Sequence, residues 1–241
     1  MDKKENTGLS SPTGGQGAVG KGAMRVEHLY VKRGWFTPPN ATSLLIGTFP
    51  SVLIREQFGR IRSTDVDFFY GSADNNFWPD LSFIYNRTLL VTRTPEAVEQ
   101  RKQLLIDLRL ALSDCIYACQ TNGSAMDTAL GGLELNKALI QVLDDHPAIE
   151  TLYFTSSSGP VNAETLTLRL LKEEGRLLKM QITQKSGPRM RMFLFRDGAG
   201  KLRTVKTVTL ISPSPLAEQW GGVTPEKRRA LYRKYLPALL K

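Results

Sequence analysis

Cysteine is nearly absent from this chain: Cys115 and Cys119 are the only two among 241 residues. One pair excludes a disulfide framework, and a four-thiolate cluster cannot be assembled within one chain. Lone buried thiols of this kind read as core residues. Histidine is equally scarce, with His28 and His146 alone, so neither a metal site nor a cofactor is expected. Long apolar runs are missing as well. No stretch approaches the roughly 20 residues of a membrane-spanning helix, and the N-terminus has no apolar segment resembling a secretory signal. The expected setting is the cytoplasm, without membrane contact. Also lacking are a Walker-type lysine loop and a carboxylate cluster for a metal, the features an unrelated nucleotide phosphohydrolase would want.

What is present is the composition of a globular protein, 41% hydrophobic and 23% charged, at a length that suits one domain or two small ones. A formal net charge of +9 has two readings. Either Lys and Arg serve a polyanionic partner, nucleic acid first, by displacing its condensed counterions, or the surface is an ordinary solvated basic one. Residues 1–24 are rich in Gly, Ser, Thr and Lys and read as a disordered tail. Residues 25–241 show no second linker, charge block or repeat, and read as a single domain with no obligate protein partner evident.

Within that domain short apolar runs alternate with helical patterns, which argues for a parallel sheet covered by helices on both faces. The expected strands are residues 43–47, 115–118, 151–155 and 205–211. A helix is expected to start at Thr94, where Thr caps, Pro95 fits the first turn and Glu96 complements the dipole; its buried face runs on to Leu112. Others are expected over 132–144 and 162–174, with a last, basic helix opening at Thr224-Pro225-Glu226 and carrying Lys227, Arg228, Arg229, Arg233 and Lys234. Runs 190–195 and 202–208 flank Asp197-Gly198-Ala199-Gly200, a hairpin turn in which Gly supplies positive φ angles.

Ligands of such sheets sit beyond the carboxyl ends of the strands, so the segments that follow strands matter most. After the first strand comes Gly47-Thr48-Phe49-Pro50-Ser51, a tight turn able to bring backbone close to a ligand. After the last comes Ser212-Pro213-Ser214-Pro215-Leu216, two prolines stiffening a loop that presents one apolar residue. Leu216 suits a wedge that fills the space left by an extruded base; the alternative is a proline-rich turn with Leu216 tucked inward. Between them lies Phe68-Phe69-Tyr70-Gly71-Ser72-Ala73-Asp74-Asn75-Asn76-Phe77-Trp78. Its rings offer stacking surface and its amides both donate and accept, or Phe77 and Trp78 simply pack into the core.

These three segments, in this order, resemble the uracil-DNA glycosylase superfamily, and the middle one is most similar to its hypoxanthine-DNA and mismatch-specific branches. Those branches carry an aromatic, a polar stretch and Asn-x-Phe-Trp, here Tyr70 followed by Asn75-Asn76-Phe77-Trp78. Asp114 and Cys115, then Gly123-Ser124 with Asp127 close behind, resemble the second-strand segment of the hypoxanthine branch. The match spans most of the region from Leu44 to Leu216. It implies a three-layer α/β/α sandwich with a central, mainly parallel four-stranded sheet plus a hairpin before the last strand. It also implies a monofunctional glycosylase that hydrolyses the N-glycosidic bond of uracil or hypoxanthine in DNA, working in the cytoplasm at the nucleoid.

Carried over residue by residue, the resemblance makes Asn75 catalytic and Tyr70 the ring that stacks on the flipped base. Gly47, Thr48, Phe49, Pro50, Ser51 and Ser212 become the pocket for the base edge. Ser214, Pro215 and Leu216 become the DNA-contacting loop. Two positions depart from the pattern: Phe49 stands where the uracil-specific branch has a water-activating Asp, and Ser212 where it has His. The stretch between Ser51 and Asp67, with Arg55, Arg60 and Arg62, looks like an insertion. A glycosylase-fold module that binds DNA or a base with little or no catalysis is the other reading. Either way, the three segments are expected to meet in a slot sized for one extruded base.

Overall fold

The computed structural model describes residues 22–55, 58–156, 159–185 and 187–240; most of the expected tail, residues 1–21, lies outside them. The chain opens with β1 (Met24–Glu27) and a single turn, α1 (Leu29–Lys32), before β2 (Ser43–Gly47). All five residues of β2 are buried, as a strand covered on both faces requires. The helices α2 (Phe77–Tyr85) and α3 (Pro95–Leu108) follow, then β3 (Leu110–Asp114), β4 (Ile116–Thr121), β5 (Gly131–Leu135) and α4 (Ala138–Asp145). Next come β6 (Thr151–Phe154), α5 (Ala163–Glu173), β7 (Leu177–Gln184), β8 (Met190–Arg196) and β9 (Leu202–Thr209). Two helices close the chain, α6 (Pro215–Gly221) and α7 (Pro225–Tyr235).

The main sheet has six strands in the order β3-β2-β6-β9-β8-β7, not the four expected. Its β3-β2-β6-β9 part is parallel, and β8 and β7 extend it antiparallel. Alternate side chains feed two apolar clusters. Leu44, Ile46, Leu152 and Phe154 pack with α4 and α5, while Leu45, Leu112, Tyr153 and Val208 pack with α2, α3 and α7. Helices therefore cover both faces, each burying an apolar stripe that would otherwise meet water.

The second expected strand is displaced. Arg109, with φ 51°, ends α3 as a left-handed cap whose N–H bonds back to Leu105 and Ile106, and Leu110–Asp114 then joins the parallel sheet. A short apolar run such as Leu108 to Leu112 fits a buried helix or strand equally well, so the expected helix overran its end. Residues 116–118 of the expected strand instead lie in β4, part of a separate antiparallel sheet ordered β1-β4-β5. The helix expected from residue 132 likewise begins only at Ala138, because residues 131–135 pair with β4. The β8–β9 hairpin forms as expected, its turn held by Asp197 Oδ1, which accepts from the N–H groups of Ala199 and Lys201.

The carboxyl ends of the parallel strands are level: Gly47 pairs with Asp114, Ile46 with Phe154, and Phe154 with Thr209. The winding reverses between β2 and β6, with β3 on one side of β2 and β6 on the other. That crevice is where a doubly wound sheet places its ligand.

Candidate functional site

A cavity of about 1310 Å³ opens at this crevice. Its wall contains Thr48, Phe49, Pro50 and Ser51 from the turn after β2, Tyr70 and Asn75 from the aromatic segment, and Ser212, Ser214, Pro215 and Leu216 from the loop after β9. Every candidate from the sequence except Gly47 lines it. The space exceeds both the roughly 300–1,000 Å³ of ordinary small-molecule pockets and the single-base slot that was expected.

Gly47 lies behind the wall, and its missing side chain matters. A Cβ there would stand 2.2 Å from Asp114 Oδ1 and 2.4 Å from the Tyr70 hydroxyl. Both neighbours are fixed. His28, fully buried, accepts the Val31 N–H at Nδ1, which leaves the Nε2 proton to bond Asp114 Oδ2 at 2.7 Å. The Tyr70 hydroxyl shares a 3.0 Å hydrogen bond with Thr155 Oγ1, and its ring lies 4.5 Å from that of Phe77. Burial, with Asp114 adding to it, pushes the Tyr70 phenol well above its ordinary value. Tyr70 has φ 56°, the left-handed region that bulky side chains avoid. The Val66–Gly71 and Gly71–Phe68 backbone bonds hold it there.

Asn75 is half-buried. Its Oδ1 accepts the Phe77 N–H at 2.9 Å, orienting the amide so that Nδ2 has no partner among the described residues. The next residue links two loops: Asn76 N–H donates to Pro213 O at 3.0 Å and its Nδ2 to Glu218 at 3.1 Å. The loop after β9 is thereby tied to the start of α2. Ser212 Oγ accepts from Ser214 N–H, so the Ser212 hydroxyl proton is still available. Leu216, in the first turn of α6, is half-buried on the cavity wall. It is neither a fully exposed tip nor a core residue.

Phe49 is packed rather than presented: His28 meets its ring edge-on at 5.3 Å, and the Arg55 guanidinium lies over it at 5.0 Å. Arg55 belongs to the stretch read as an insertion, yet it is 5% exposed and donates to Pro50 O. Among the described residues three buried polar atoms of cavity residues have no hydrogen-bond partner: Arg55 Nη1, Ser72 Oγ and Thr209 Oγ1. Buried polar groups are nearly always satisfied, so these three lie in the wall of the cavity as uncompensated polar atoms.

The sequence reading missed four contributors. Thr155 and Ser156 follow β6, and the strand-end rule already pointed there. The tip between β7 and β8 brings Lys185 and Arg189 to the cavity; Leu178, Met180 and Ile182 alternate with polar residues along β7, a period-2 signal that could have marked the strand. Asp114 and Asp127 also line it, although in sequence they were matched to the family pattern without a role. Among the described residues no three His, Cys, Asp or Glu side chains converge as a metal site would need, and no helix is long and apolar enough to cross a membrane.

The basic residues are deployed otherwise than the sequence suggested. Arg228 is 1% exposed and bonds Asp80 and Glu218, and Arg229 bonds Asp80 at 2.8 Å. Arg62 is tied to Asp65 and Asp74. Of the expected cationic face of α7, Lys227, Arg233 and Lys234 remain exposed.

No protein-family model, curated protein or solved structure matches the chain.

Proposed function

We propose that this protein is a monofunctional DNA glycosylase that hydrolyses the N-glycosidic bond of a deaminated base, uracil or hypoxanthine. The observation that carries this reading is the convergence of three segments, distant in sequence, on one cavity at the switch point of the sheet. Breaking a glycosidic bond develops positive charge on the sugar and negative charge on the departing base, so a site needs donors toward the base and a held water at the anomeric carbon. Ser212 and the backbone N–H groups of Thr48, Phe49 and Ser51 supply donors for the base edge. Tyr70 supplies the stacking ring, and the Asn75 amide orients the water against the sugar. The large volume fits an extruded nucleotide with its flanking backbone, and Leu216 fills the vacated stack. An intact strand with an abasic site is the outcome the resemblance implies, with Lys185 on the cavity wall read as a phosphate contact rather than a Schiff-base nucleophile.

The test is an excision panel on duplexes carrying uracil, hypoxanthine or xanthine, read as alkali-labile sites. Asn75→Ala is expected to lose orders of magnitude in excision while losing only about 1 kcal/mol of stability with the hydrogen bond from Phe77 N–H. Asn75→Asp keeps that hydrogen bond but not the amide N–H, and is expected to be nearly as inactive. Near-normal activity of either variant rejects the assignment. A second reading, a module that binds a flipped base without cleaving it, is favoured by the packed Phe49 ring. It predicts DNA binding with no alkali-labile product.

A further inference from the structure

Hydrolysis needs a place for the proton of the attacking water, and neither Asn75 nor Phe49 can accept one at neutral pH. Among the described residues three carboxylates line the cavity: Asp74, Asp114 and Asp127. Asp74 is paired with Arg62 at 3.0 Å, and Asp114 with His28 at 2.7 Å. Asp127 makes no ion pair among the described residues. It opens a short 3-10 helix, Asp127–Ala129, in the connection between β4 and β5, which returns to the turn after β2. There its carboxyl lies near enough to the Thr48 hydroxyl and the Arg55 guanidinium for both to act on it.

We propose that Asp127 is the general base of the reaction, filling from another loop the place beside residues 47–51 that Phe49 leaves without a carboxylate. The inference rests on the glycosylase reading. In the step, the C1′–N bond breaks and its electron pair leaves on the base. The water oxygen bonds to C1′, and its proton passes to Asp127 and then to solvent. The base anion takes a proton from solvent, so sugar and base each gain one part of a single water.

The surroundings suit this role. Burial pushes the Asp127 carboxyl up to about 6, with Asp114 adding to the rise, while the Thr48 hydroxyl and the Arg55 guanidinium oppose it. The thiols of Cys115 and Cys119 also feel its charge, and burial holds both above their ordinary values. Arg60, Asp74, Lys185 and Arg189 are the other charged groups on the cavity wall among the described residues. A base poised just below neutrality is ionised at working pH yet basic enough to take a proton.

The experiment is single-turnover excision from pH 5 to 8 with enzyme in excess, for the full chain and for Asp127→Asn and Asp127→Glu, alongside binding to duplex carrying an abasic-site analogue. The wild-type rate is expected to fall below pH about 6. Asp127→Asn should lose at least about 100-fold and the acid limb with it, keep analogue affinity within about threefold, and recover in part as Asp127→Glu. An Asn variant that cuts normally, or that keeps the acid limb, overturns the inference and leaves the glycosylase reading standing. A wild-type protein that binds the analogue and cuts none of the duplexes overturns both. Should the Asn variant fail to fold, a wild-type rate that stays flat from pH 5 to 8 overturns the role of Asp127 by itself.

Discussion

Gly47 and Asp127 show how individual residues set the terms of this site. The floor beneath Gly47 is a carboxylate pinned by a buried His and a phenol pinned by a Thr, and neither can retreat. Gly47→Ala is therefore expected to destabilise the fold by about 1–3 kcal/mol, the usual penalty of overpacking, and to abolish function. Thermal denaturation checks it, and an unchanged melting temperature would show that the floor yields. Asp127 has a consequence for stability opposite to its proposed use. Its carboxyl is raised from 3.8 to about 6, so between those values the unfolded chain gives up a proton that the folded chain still holds. Stability from this group is then complete below pH about 4 and lost as pH rises through 6. At 1.36 kcal/mol per unit the loss is up to roughly 3 kcal/mol. Asp127→Asn should be more stable than wild type by up to that amount at pH 7.5, and no more stable at pH 3.5. Urea denaturation at the two pH values decides; an equal difference at both would mean the carboxyl is not desolvated.

At the level of elements, α7 does structural work that its sequence disguised. Arg228 and Arg229 reach from it to Asp80 on α2, and Arg228 also holds Glu218 on α6. Glu218 in turn receives Asn76 from the start of α2. The same network thus fixes α7 and joins the loop after β9 to the segment bearing Asn75. Removing one member of a buried ion pair leaves the other uncompensated, a cost of about 3–5 kcal/mol. Asp80→Asn is expected to lose stability in that range and to weaken excision beyond what the stability loss explains. A change below about 1 kcal/mol in urea denaturation would show that α7 is held by its apolar contacts alone. The β7–β8 tip is the counterpart on the other side of the cavity. Buried Glu164 on α5 accepts from both Arg189 and Arg191, and those bonds hold its carboxyl below its ordinary value against the effect of burial.

For the molecule as a whole, the net charge of +9 already subtracts every carboxylate, so ion pairing changes not its size but which cations are left to a polyanion at the cavity. Arg55 is buried, while Arg62, Arg189, Arg228 and Arg229 are occupied by carboxylates. Arg60 and Lys185 line the cavity and are exposed, without an ion pair among the described residues. If DNA is the partner, each phosphate contact contributes about 0.9 to the slope of log affinity against log salt. Arg60→Ala and Lys185→Ala are each expected to lower that slope by about this amount. Lys201→Ala, in the β8–β9 turn at the opposite end of β9 from the cavity, should leave it unchanged. Equal effects at all three positions would mean diffuse attraction rather than contacts at this site.

Much of the chain could be read directly, and what could be read was local. β2 and its turn, the β8–β9 hairpin, and the caps at Thr94, Asn162 and Thr224 each depend on hydrogen bonds or side-chain periods within a few residues. The candidates at 47–51 and 212–216 followed from the same logic, since they come after strands, whereas Tyr70 and Asn75 came from the family resemblance of the aromatic segment. Tertiary structure alone decided which apolar run after α3 entered the parallel sheet, because a run buried on every side carries no period. It also decided which charges met partners as far apart as Asp80 and Arg228, and that a second sheet would carry Asp127 back to Thr48. Ion pairing and desolvation depend on what the rest of the chain brings alongside, and no local pattern encodes that.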